Sequence, residues 1–133
     1  GAGLQLLAAT IQASIDKAAA VPALAAYALD LGKALHAVQA ATQAAWATGH
    51  PQEALANAVP YMQAFGHTVL AWVWLEQALT VQAQDAALSV AANAGRMGAL
   101  AYFYHYELPK TAAWLRVVSA RDMTCAQMPL DAF

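Results

Sequence analysis

The sequence predicts an all-α fold: an antiparallel four-helix up-down bundle with a short C-terminal fifth helix. Three observations carry this. Alanine, the strongest helix former, is about a quarter of the 133 residues. Glycine and proline are few, 7 and 5, and the Val/Ile/Thr alternation of strands is scarce. Leu, Ile and Val recur instead at three- and four-residue steps between short breaks.

The first predicted helix runs from about Leu4 to Ala20. Leu4, Leu7, Ile11 and Ile15 share one face, and Val21-Pro22 breaks it because proline removes a donor and restricts the residue before it. The second covers Ala23 to Thr48, with a stripe through Leu24, Leu31, Leu35, Val38 and Trp46. Gly49 is its expected left-handed cap. The third opens with Pro51 at its first position and Glu53 in its first turn, both favoured there. It continues to about Gln84, with a kink expected at Pro60. The fourth spans Asp85 to Glu107, with Asp85 as cap candidate and small residues Ala91, Ala94, Gly95, Gly98 and Ala99 for close packing. Leu108-Pro109 is read as its stop. A short fifth helix, Thr111 to Ser119, forms an appendage, and Met123–Phe133 reads as irregular.

From Ala54 to Leu75 there is no Asp, Glu, Lys or Arg. The run from Tyr61 to Leu75 is apolar on every side of a helix, with Trp72 and Trp74 on nearly opposite faces. Such a helix is buried on all sides or sits in lipid. Asn57, Pro60, Gln63 and His67 interrupt it, and no Lys or Arg cluster flanks it, so no membrane span is expected. A strand over Thr68–Leu75 is rejected because no turn signal separates it from helical sequence. Tyr102, Phe103, Tyr104 and Tyr106 likewise cover most of a helix circumference. Aromatics all round on two helices exceed what one small bundle buries, the alternative being two central helices that face each other with the remaining rings half exposed. Tyr61, Phe65, His67, Trp72, Trp74, Tyr102, Phe103, Tyr104 and Tyr106 are therefore the packing or interface candidates.

Charged residues are 11% and the net charge is −2. With no basic patch, nucleic-acid binding is not expected. The one cysteine, Cys125, excludes an internal disulfide and a four-cysteine zinc site, and fits a reducing cytoplasm. His36, His50, His67 and His105 never pair at i,i+3 or i,i+4, so the usual helical metal spacing is absent. No Gly-rich phosphate loop or serine elbow occurs. No catalytic, cofactor or metal residue is predicted within this segment. The start at Gly1 carries no Met and no basic leader, which suggests a C-terminal piece of a larger chain forming a single domain over residues 1–133.

Ala58–Ala78 and Gly95–Thr111 carry a resemblance. Tyr61, Phe65, Gly66, Trp72, Trp74, Ala101, Phe103, Leu108 and Pro109 resemble the extra C-terminal helical domain of the large FAD-dependent acyl-CoA dehydrogenases. That subfamily includes methylmercaptopropionyl-CoA dehydrogenase. Arg96 stands where the family commonly has Lys, and Pro60 lies where the family helix runs straight. The resemblance covers nearly the whole chain, and its motifs are packing motifs. It implies a parent flavoprotein of fatty acid metabolism that oxidises the Cα–Cβ bond of an acyl-CoA thioester, with FAD as hydride acceptor. The flavin, CoA and base residues of that family lie upstream, so none maps here. The segment would be a packing domain on the upstream dehydrogenase domain, shaping its acyl pocket or subunit interface within a homo-oligomer.

Two other readings stay open in the sequence. One is a self-sufficient bundle holding an apolar ligand between Trp46, Trp72, Tyr102 and Phe103. The other is an oligomerisation module that self-associates through the surface of the third and fourth helices.

Overall fold

The computed structural model describes residues 1–83 and 90–133. These are all-helical, with no strand among them. The helices are α1 (Ala2–Ala19), α2 (Ala25–Ala45), α3 (Pro51–Leu55), α4 (Ala58–Ala83), α5 (Val90–Tyr102) and α6 (Lys110–Ser119). A π-helical turn, Phe103–Glu107, joins α5 towards α6, and a 3-10 turn covers Leu130–Ala132. The proposed cap Asp85 and the helix end at Gln84 lie outside the described residues.

Two expected breaks fall where local chemistry placed them. α1 stops before Val21-Pro22, and Leu24 then caps α2. Gly49 takes φ +72°, the left-handed conformation that glycine adopts without a Cβ clash. It follows a turn through residues 46–48, so α2 ends at Ala45, earlier than Thr48.

The third predicted helix is not one kinked rod. Pro60 has no N–H to give the Ala56 carbonyl, and its ring crowds that carbonyl. The chain therefore ends α3 at Leu55, turns through Ala56 and Asn57, and restarts at Ala58, with Pro60 in the first turn of α4. The break is used structurally. The Asn57 side-chain amide donates to the carbonyls of Asp122 at 2.8 Å and Val117 at 3.3 Å.

Leu108-Pro109 ends the fourth helix at Glu107, as the sequence predicts, and the helix closes in a π turn. Leu108 N–H bonds the Phe103 carbonyl at 2.9 Å, five residues back. Tyr102, Leu108 and Pro109 all keep right-handed helical angles. The wider π turn accommodates Pro109, which cannot continue a regular α-helix, and the chain turns at 108–109 directly into α6. α6 is not an appendage: it packs against both α2 and α4. Its C-terminus closes in a Schellman motif. Arg121 N–H donates to Val118 and Asp122 N–H to Val117. Arg121 sits at φ +51°, a position usually given to glycine. Its guanidinium also donates to the Ala44 carbonyl at 2.8 Å, tying α6 to the end of α2.

The core has two storeys. Ile11, Ile15, Leu24, Leu31, Leu75, Leu100, Phe103, Tyr104 and Leu108 form one with their neighbours. Val38, Ala41, Ala45, Ala64, Leu115 and Val118 form the other, flanked by Tyr61, Phe65 and Trp114. The buried face of α4 is mostly small: Ala64, Thr68, Ala71, Leu75 and Ala78. Small residues let neighbouring elements approach its backbone, while Leu75 fills the gap between them. Leu75→Ala is expected to lower the unfolding free energy by about 2–5 kcal/mol. Ala71→Leu should cost about 1–3 kcal/mol by overpacking. Urea titration followed by circular dichroism checks both.

Candidate functional site

The nine aromatic and histidine candidates separate by placement. Phe103 and Tyr104 are buried, Tyr61, Phe65, His67, Trp72 and Trp74 are half-buried, and Tyr102 and Tyr106 are exposed. Trp72 and Trp74 leave α4 on opposite flanks, and both pack against the first core storey. The chain thus covers much of these two rings itself.

Trp72, Tyr61 and Tyr104 are each anchored at a specific partner. The Trp72 indole N–H donates to the Ser14 hydroxyl at 2.8 Å, and Ser14 in turn donates to the Glu76 carboxylate. This chain of bonds joins α1 to α4 beside the core. The Tyr61 hydroxyl lies 2.8 Å from Thr42 Oγ1, and Thr42 donates to the Val38 carbonyl at 2.7 Å. The Tyr104 hydroxyl donates to the Ala71 carbonyl at 2.7 Å. Ala71 has no side chain beyond Cβ to block that approach. Burial pushes the Tyr104 phenol well above the usual tyrosine range, and the Asp30 charge adds to this. Tyr104 is therefore a neutral structural donor at physiological pH.

The densest polar cluster lies where the π turn meets α4 and α6. His67 Nε2 is 3.2 Å from Glu107 Oε2, and Lys110 Nζ is 3.0 Å from each Glu107 oxygen. The His67 ring meets Trp114 edge-on at 4.8 Å between centroids and lies 5.6 Å from Phe103. The hydrogen bond from Lys110, then that from His67, hold the Glu107 carboxyl below its usual range. A carboxylate held low and accepting from two donors stays ionised, and its bonds tie the π turn to α4 and α6. No group of three or more potential metal ligands occurs among the described residues. Cys125 is exposed.

The sequence shows the Glu107–Lys110 pair, at i,i+3. It gives no signal for Ser14 with Glu76 or for His67 with Glu107, because 62 and 40 residues separate them. The four residues proposed to enclose an apolar ligand do not share a described cavity. Trp46 lines a crevice of about 240 Å³ with Thr42, Leu55, Tyr61 and Met62. A wider groove of about 580 Å³ lies along Ile15, Leu29, Gly32, Lys33 and His36. Tyr102 points outward and stacks on Tyr106, with centroids 5.0 Å apart. No helix among the described residues is long and apolar enough to cross a membrane.

Residues 7–129 match the model of a family described as acetyl-CoA dehydrogenase C-terminal like. No curated protein and no solved structure matches the chain.

The depressed Glu107 pKa has a defined consequence for stability. Its contribution is fully present above the unfolded carboxyl value of about 4.3 and is lost as pH falls through the lower folded value. Glu107→Gln should therefore flatten the acid limb of the stability profile, read as the urea midpoint between about pH 5 and pH 3. It should leave the slope above pH 5 unchanged.

Proposed function

The chain belongs to the acetyl-CoA dehydrogenase C-terminal like family, and we propose that it is a non-catalytic packing domain of an FAD-dependent acyl-CoA dehydrogenase. In such a parent, FAD accepts hydride as the Cα–Cβ bond of an acyl-CoA thioester is oxidised. We assign no flavin-binding role to the polar side chains of the candidate site. Their polar groups are already bonded to one another: Lys110 and His67 to Glu107, Trp72 to Ser14, Tyr104 to a helix carbonyl. No step of the reaction is assigned to them.

The observation that carries the reading is the family match over residues 7–129, which takes in α2 to α6 and most of α1. Its motif residues act here as packing. Phe103 and Leu108 lie in the core, and Trp72 and Trp74 brace it. The apolar surface left over is what a packing domain presents to its body. We assign the exposed, stacked Tyr102 and Tyr106 to that contact, since exposed aromatic anchors carry much of the energy of protein interfaces. Docked there, the domain would hold the dehydrogenase body at its acyl pocket or its subunit interface.

The purified chain is expected to show no flavin absorbance and no acyl-CoA oxidation. Mixed with an FAD-loaded dehydrogenase body lacking its own C-terminal domain, it should form a complex on size exclusion. The double variant Tyr102→Ser/Tyr106→Ser should weaken that complex about 10- to 100-fold. Stoichiometric FAD on the chain alone overturns the proposal.

A further inference from the structure

α4 is apolar on two opposite sides. One is the buried face through Ala64, Thr68, Ala71, Leu75 and Ala78. The other faces solvent and carries Val59 (71% exposed), Met62 (60%), Leu70 (48%) and Val73 (42%), with Gly66 among them. At 100° per residue these five positions fall within an arc of about 80°. They form a straight stripe about 21 Å long, at 1.5 Å per residue.

The stripe is symmetric about Gly66. Met62 and Leu70 lie four residues to either side, and Val59 and Val73 seven residues to either side. A helix running antiparallel to itself across a two-fold axis at Gly66 places Val59 opposite Val73 of the second copy and Met62 opposite its Leu70. Gly66 meets Gly66 at the crossing. Self-complementarity of this kind is what a two-fold interface requires.

Gly66 is the second observation. It lies inside a helix at negative φ, and a Cβ built on it would touch nothing within 4 Å. Neither backbone conformation nor packing within the chain calls for glycine there. A helix-interior glycine costs about 1 kcal/mol relative to alanine. Gly95 and Gly98 in α5 are equally free of contacts, but Gly66 alone of the three lies at the centre of an exposed apolar stripe, where it permits close approach of another backbone. The stripe also sits within the run from Ala54 to Leu75 that lacks charged residues, so pairing two copies buries no charge. With Leu55 (59% exposed) at one end, pairing would bury on the order of 1,000 Å² over both copies, at the lower edge of specific interfaces.

We infer that the outer face of α4 is an isologous dimer interface, in which two copies of this chain pack antiparallel across Gly66. It is separate from the Tyr102/Tyr106 contact and does not depend on the dehydrogenase reading. The absence of charged or aromatic anchors in the stripe places the dimer at the weak end for such an area, with Kd on the order of 10 μM.

Sedimentation equilibrium of the chain should show that dimer. Leu70→Glu should weaken it about 100-fold while circular dichroism stays unchanged, because two buried carboxylates meet apolar side chains. Met62→Lys alone should weaken it similarly. The double variant Met62→Lys/Leu70→Glu should recover most of the affinity, since the two new charges face each other across the axis. A folded wild-type chain that stays monomeric at about 500 μM, fifty times that Kd, overturns the inference. So does failure of the double variant to recover the affinity. If Leu70→Glu leaves self-association intact and abolishes binding to the dehydrogenase body, the stripe belongs to the body. The dimer inference then fails while the packing-domain proposal stands.

Discussion

The close packing of the alanine face of α4 underlies the rest of the molecule. α1, α2, α5 and α6 all contact this helix, and so does the π turn. Ala64, Ala71 and Ala78 keep its buried side narrow enough for neighbours to reach the backbone. Tyr104 shows the result most directly, with its hydroxyl on the Ala71 carbonyl and its ring edge-on to Tyr27 at 5.2 Å. Because the inner face is small, the larger apolar side chains of α4 go elsewhere. The tryptophans take the flanks, where α1 and the core cover them. Val59, Met62, Leu70 and Val73 take the outside. The run from Ala58 to Leu75 is thus apolar on both sides, the inner face in the core and the outer face on the surface.

A few polar groups fix how the packed helices are registered. Ser14 accepts from Trp72 and donates to Glu76 across the α1–α4 seam. Asn57 and Arg121 close the other end, each binding carbonyls at a helix terminus. Helix ends carry unsatisfied carbonyls that need partners wherever water is excluded. The break forced by Pro60 is therefore productive: it frees Asn57 to cap α6. Glu107, held by Lys110 and His67, fixes the π turn that carries the chain past Pro109. These side chains align elements across the helix seams.

Several features were legible because their cause is local. Pro22 and Gly49 mark breaks through their own backbone restrictions, Pro51 opens a helix, and the periodic leucines name much of the core. Packing motifs through Tyr61, Phe65, Gly66, Phe103, Leu108 and Pro109 also sufficed to name the family. Other features had no local cause. Pro60 and Pro109 look alike in sequence, yet Pro60 sits in the first turn of α4, while Pro109 follows a π turn whose Phe103 and Tyr104 lie in the core and whose Glu107 is bonded to His67 and Lys110. Arg121 adopts a glycine conformation because the Ala44 carbonyl and the Schellman bonds hold it there.

By itself, the sequence determined an all-helical chain, a helix with an uncharged run that is apolar on all sides up to Leu75, and the family to which that chain belongs. Helical periodicity and proline or glycine restriction act within a few residues, so they can be read along the chain. Tertiary structure decided which side of that helix is core and which is surface. It moved the unsatisfied apolar area from Trp72 and Trp74 to the stripe centred on Gly66, and it built α6 into the core. Those outcomes depend on which distant elements cover a given face, and coverage exists only once the helices are packed.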